Sequence, residues 1–309
     1  MFASTRSVFR WGAVLAAAAG LLLFLLGATG PSGGPEGSGA AGRGHGAAPT
    51  PGRPSSPSSP SSAAPVMPGM ASGEGLVGEL GGYRLDSPVA TLPAGQAVSY
   101  PFTVLGPDGS PVTDFAVAQT RRLHFYAIRT DLTGYQHLHP AMAADGGWTA
   151  DLAALTPGSW RLYAAFTPNT GRGKGREFVL SRTVSVPGET AAEPLPAAAD
   201  GTTVDGYTVT LKAGSTGPMT QRLTVTVTRD GEPTTDLQPY LDSYAHLSAF
   251  HEGDQALAHL HPGNAVDGDH GGPTLTFDAM VGESGNWRVF LQFQTAGQLH
   301  TAVLTLRVP

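Results

Sequence analysis

At 309 residues the chain has room for two domains of ordinary size. Only 14% of its residues are charged and the net charge is −6, with no basic run suited to nucleic acid and no acidic tail for a charged partner. Cysteine is absent, which excludes a disulfide framework, a thiolate metal site, a cysteine nucleophile and a lipid-modified cysteine anchor.

The chain begins with Arg6 and Arg10, followed by an uninterrupted apolar run from Trp11 to Ala28. A charged start followed by such a run reads as an export signal, and its length approaches the ~20 residues that span a bilayer. Residues 1–30 are therefore expected to be a signal peptide or a signal anchor with the arginines in the cytoplasm. The bulk of the protein is expected outside the cytoplasm, held at the cell membrane or secreted if the signal is cleaved. Residues 31–78 are rich in Gly, Ser, Pro and Ala, including the run Pro54-Ser55-Ser56-Pro57-Ser58-Ser59-Pro60. With so few apolar residues to offset ordering entropy, they are expected to form a disordered stalk.

From Gly82 onward the pattern changes to short strands punctuated by turns. Tyr83–Leu85, Ala97–Val104 and Trp160–Phe166 read as strands, and Gly106-Pro107-Asp108-Gly109 reads as a turn. Leu223, Val225 and Val227 alternate with threonines, a period of two with one buried face. No segment after residue 30 carries a sustained helical period. The expected class is all-β, with two tandem immunoglobulin-like sandwiches at 79–188 and 204–309 joined by an Ala/Pro/Glu-rich linker at 189–203.

The tandem reading rests on an internal duplication. His124 is followed thirteen residues later by His137-Leu138-His139-Pro140, and His246 by His259-Leu260-His261-Pro262. All three histidines keep one offset of 122 residues between copies, as do Pro111-Val112-Thr113-Asp114 and Pro233-Thr234-Thr235-Asp236. Gly158-Ser159-Trp160-Arg161 and Gly285-Asn286-Trp287-Arg288 match at an offset of 127, so copy two carries about five extra residues, expected near Asp267–Gly272. Trp160 and Trp287 read as core residues.

In each copy the lone histidine and the pair flank a hairpin turn, near Asp131-Leu132 and near Gly253. Facing residues on antiparallel strands share a side, and so do residues two apart. If Leu123, Phe125, Ala127 and Leu138 point inward, His124, His137 and His139 point outward together. The same alternation groups His246, His259 and His261. Three imidazoles without thiolates suit Zn(II), Cu(II) or Ni(II) with a position left open. His300, Glu252, Asp254, Asp269 and His270 are possible further ligands in copy two. A competing reading makes His-Leu-His-Pro a structural corner, its proline ending the strand and its imidazoles bonding carbonyls.

The stretches Pro111–Asp114, Asp131–Pro140, Gly147-Trp148 and Gly158–Leu162 resemble a family of exported bacterial β-sandwich proteins. These are of the YtkA-like and FixH-like type, described as heavy-metal-binding or copper-associated. The resemblance covers about residues 80–309 and implies an extracytoplasmic binding protein for a metal, copper foremost. It implies no ligand set.

The function expected from all this is a membrane-tethered transition-metal binding protein, holding copper or zinc in its histidine clusters. Its expected partners are the metal ion, the membrane through residues 1–30, and an envelope protein, with no nucleic acid. The alternative is a structural or adhesive pair of sandwiches without metal. A metalloenzyme is not expected. No acidic residue recurs as a general base in both copies, and no Gly-x-Ser-x-Gly nucleophile motif occurs.

Overall fold

The computed structural model describes residues 73–217 and 220–309. The expected export segment and all but the last residues of the stalk lie outside them. Within them the chain is all-β, and no helix is long and apolar enough to cross a membrane.

The first repeat comprises β1 (Glu79–Leu80), β2 (Tyr83–Asp86), β3 (Val98–Leu105), β4 (Leu123–Arg129), β5 (Gln136–Leu138), β6 (Ala141–Met142), β7 (Gly147–Leu152), β8 (Gly158–Phe166) and β9 (Phe178–Val186). One sheet runs β1-β2-β3-β7-β6 and the facing sheet β5-β4-β8-β9, antiparallel throughout. The second repeat comprises β10 (Gly201–Val204), β11 (Tyr207–Gly217), β12 (Thr220–Arg229), β13 (Glu232–Pro233), β14 (Ala245–His251), β15 (His259–Pro262), β16 (Thr274–Met280), β17 (Gly285–Thr295) and β18 (Gln298–Val308). Its sheets run β10-β11-β12-β16-β15, with β13 beside β12, and β14-β17-β18.

Each repeat closes over its own core. In the first, Phe102, Phe125, Trp148 and Trp160 pack between the sheets. In the second, Val225, Phe277, Trp287 and Phe293 do the same. The duplicated tryptophans are core residues, each donating its indole N–H four residues back, Trp160 to Thr156 O and Trp287 to Glu283 O.

Sequence alternation predicts one buried face per strand, yet every residue of β4 is buried. Leu123, Phe125 and Ala127 face the core, while His124, Tyr126 and Ile128 face the other repeat. The sheets β5-β4-β8-β9 and β14-β17-β18 back onto each other through a third apolar cluster. It contains Tyr126, Ile128, Leu132, Tyr163, Ala165 and Val179 from the first repeat and Phe250, Leu257 and Phe290 from the second. Burying such side chains contributes roughly 1.5–3 kcal/mol each. Polar bonds fix the register: Tyr163 Oη donates to Gln255 O at 2.6 Å, and Gln255 Nε2 donates to Arg129 O at 3.2 Å. Equivalent tight turns also meet. Gln119-Thr120 and Leu241-Asp242 each hold two positive φ angles, as a primed hairpin turn requires, and Thr120 N–H donates to Asp242 Oδ2.

The last residues of the expected stalk are part of this body. Val77 O accepts from Ser181 N–H, and Glu74 O accepts from Leu257 N–H.

Candidate metal centre

The first hairpin delivers the first copy's histidines. β4 and β5 pair Phe125 with Leu138 and Tyr126 with His137, so the ladder extended one step sets His124 opposite His139. Leu138 packs on the core and all three imidazoles turn outward, as the alternation predicts. The turn between them is tight. Gly134 at φ 69° lies against Trp160, where an added Cβ would sit 2.2 Å from the indole ring.

One ligand atom from each of His124, His137 and His139 lies within 4.8 Å of the others. His124 and His137 approach most closely, Nδ1 to Nε2 at 3.0 Å. Their outer nitrogens face oxygens: His124 Nε2 lies 3.1 Å from Ala118 O and His137 Nδ1 lies 2.8 Å from Gln292 Oε1. An oxygen accepts, so with the Gln292 amide in this orientation each outer nitrogen carries the hydrogen. In a neutral ring the inner nitrogen is then a bare lone pair. The inner nitrogens of His124 and His137 therefore face each other as two acceptors, an arrangement that calls for a positive centre between them. His139 Nε2 is buried and has no hydrogen-bond partner.

A proton supplies that centre poorly, because the surroundings oppose imidazolium. Burial, then the neighbouring His246 and His124, hold His137 well below the usual histidine range. Burial, with His124 and Arg121 nearby, lowers His139 to about 4. Burial also lowers His124, helped by Arg121 and resisted by the bond to Ala118 O. The cluster is a set of neutral nitrogen donors.

A fourth ring arrives from the other repeat. His246 on β14 stacks on His137 with centroids 4.5 Å apart and lies parallel to His124 at 5.7 Å. Its Nε2 is 3.3 Å from Tyr126 Oη. Burial, then His124 and His139, lower it to about 3. Among the described residues His124 and His246 are each only 6% exposed.

The expected equivalent cluster of His246, His259 and His261 does not form a second close-set donor group among the described residues. The turn register matches that of copy one, since Phe250 bridges Leu257 and Ala258 N–H donates to Ala249 O. The strand then leaves β14 early, and His259–Pro262 pairs with β16 in the opposite sheet, His261 beside Asp278. His259 and His261 instead line a cavity of about 130 Å³ together with His124, His246 and Glu177. Glu177 Oε2 lies 3.4 Å from His259 Nδ1, and burial raises its carboxyl pKa while His261 opposes the rise.

The further ligands considered for copy two are engaged elsewhere. His300 bonds Asp205 and Thr295, His270 pairs with Asp269, Asp254 with His251, and Glu252 accepts from Asn286. The residues that sequence reasoning missed are Gln292, Tyr126 and Glu177. Gln292 left a signal: an amide set between Leu291 and Phe293 in a mostly apolar stretch of β17.

Fold and site together define a tandem β-sandwich protein whose repeats meet over a histidine cluster. The chain belongs to a family known by the description domain of unknown function DUF8832, whose model matches twice, at residues 78–185 and 202–309. That match supplies neither a YtkA-like nor a FixH-like assignment. No curated protein matches the chain. Among solved structures it is similar to the fibronectin(III)-like modules of Clostridium thermocellum CbhA, at 14% identity over 73% of this chain and 93% of that one, TM-score 0.19. It is also similar to the Escherichia coli adhesin FdeC, at 15% identity over 73% of this chain and 64% of that one, TM-score 0.23. TM-scores this low bear no functional argument.

Proposed function

We propose that the protein is a non-catalytic tandem β-sandwich module that holds a single transition-metal ion at the seam between its repeats. The ion is held by His124, His137 and His139, with His246 beside it. One observation carries this reading: His124 Nδ1 and His137 Nε2 lie 3.0 Å apart while oxygens face both outer nitrogens, so that two neutral rings donating outward turn bare lone pairs on each other. Metal-bound histidines are oriented in this way, each donating its second N–H to a carbonyl or carboxylate. A tetrahedral ion with metal–nitrogen bonds of 2.0–2.1 Å sets its ligands about 3.3 Å apart, close to the 3.0 Å between His124 Nδ1 and His137 Nε2. The all-nitrogen donor set suits Zn(II), Cu(II) or Ni(II). His246 stacks over the cluster where a hydrolytic site would keep room for substrate, which supports binding rather than catalysis. An exported, membrane-tethered location, with an envelope partner, remains part of the proposal on the strength of residues 1–30.

The metal-free alternative, a structural or adhesive pair of sandwiches, has its own support. The apolar cluster between the repeats holds them without any ion. A Gln292 amide turned end for end would donate to His137 Nδ1 and let His137 Nε2–H donate to His124, closing the network with protons alone.

Competition of the full-length protein against a chromogenic chelator for Zn(II) and Cu(II) separates the two. The metal reading predicts binding that His137→Ala with His139→Ala abolishes. Affinity no higher than that of the double variant, with unchanged folding, leaves the metal-free module.

A further inference from the structure

On the far side of His139 lies a second cavity, lined by Val117, Arg121, Arg122, Met142 and Trp148 among others. One feature marks it as suited to an anion: Arg121 and Arg122 are adjacent, exposed, and without an ion pair among the described residues. The ring of Trp148, 3% exposed, forms part of its apolar wall. The acid facing this corner is Asp242, whose carboxylate is already bonded to Thr120 N–H.

Copy two lacks this chemistry. At the offset of 122 it has Ser243 and Tyr244 in place of the two arginines. Both are buried, and Tyr244 Oη donates to Asp267 O at 2.6 Å within the extra segment. One repeat fills the corner with a tyrosine; the other leaves it open and charged.

We propose that this cavity of the first repeat binds a small organic carboxylate. The guanidinium groups of Arg121 and Arg122 take the anionic oxygens in the forked geometry that arginine offers. The apolar remainder of the ligand rests on Val117, which is 65% exposed, on Met142 and on the Trp148 ring, whose indole resonance reports on occupancy. His139, a ligand of the proposed ion, also lines the cavity, but the arginines and Trp148 that carry the inference are not metal donors.

The test is a butyrate titration of full-length protein carrying 15N-labelled tryptophan, with the Trp148 indole resonance assigned through Trp148→Phe. The proposal predicts a saturable shift of that resonance while those of Trp160 and Trp287 stay fixed. Arg121→Ala and Arg122→Ala, both at exposed positions, each weaken binding at least about tenfold. The shift persists in His137→Ala. No saturable shift, an equal shift in the double arginine variant, or tighter binding of inorganic phosphate than of butyrate overturns the proposal.

Discussion

Gln292 and Asp131 show what single side chains contribute. Gln292 touches no ion in the proposed site; it holds the outer nitrogen of His137 and so aims the inner one. Replacing such a partner costs 10–100-fold in metal affinity. Gln292→Leu is expected to show that loss in chelator competition with little change in fold, whereas unchanged affinity would detach Gln292 from the site. Asp131 is structural. Burial works to raise its pKa, but bonds from Arg129, Glu193 N–H and Thr133 outweigh this and hold it at about 2. A carboxyl lowered in the fold contributes stability that is complete above its unfolded value near 3.9 and is lost as pH falls towards 2. Asp131→Ala leaves the Arg129 side chain, 5% exposed, with only the exposed Glu193 carboxylate at 3.8 Å to balance its charge. A loss of about 3–5 kcal/mol is expected at neutral pH, and the gap from the parent should narrow in denaturation measured near pH 2.

At the scale of elements, the β4–β5 hairpin was legible in the sequence because a period of two leaves few choices. Once Leu123, Phe125 and Leu138 face inward, the three histidines of copy one must face outward together. The same pattern misled for copy two. The alternation and the turn register held there, and Leu260 still packs on the core. Which sheet the strand would join is decided by long-range pairing, here His259–Pro262 with β16, that no local period encodes. Gln292, which completes the site, comes from β17, 155 positions beyond its partner His137, so spacing alone could not find it. The expected consequence is unequal weight between the copies. His259→Ala with His261→Ala should leave metal affinity within about threefold of the parent, while His246→Ala weakens it more. Equal loss from both copies' pairs would restore the symmetric reading.

For the whole molecule, duplication has produced an interface rather than two independent sites. Two outer sheet faces that alternation alone would assign to solvent are buried against each other, with Phe250 fully enclosed at their centre. Phe250→Ala is expected to cost about 3–5 kcal/mol in chemical denaturation. Because its ring packs against Tyr126 and Tyr135 beside the cluster, it should also lower metal affinity. A saturating ion that binds only the folded protein should raise its stability by about 4 kcal/mol at a thousandfold excess over the dissociation constant.

The number of Zn(II) or Cu(II) ions bound tightly per full-length chain, measured by calorimetry with direct metal analysis, tests the central claim most directly. One ion per chain, lost in His124→Ala with His139→Ala and kept in His259→Ala with His261→Ala, is the predicted result. Two equivalent ions, one lost with each copy's histidines, or no saturable binding at all, would contradict it.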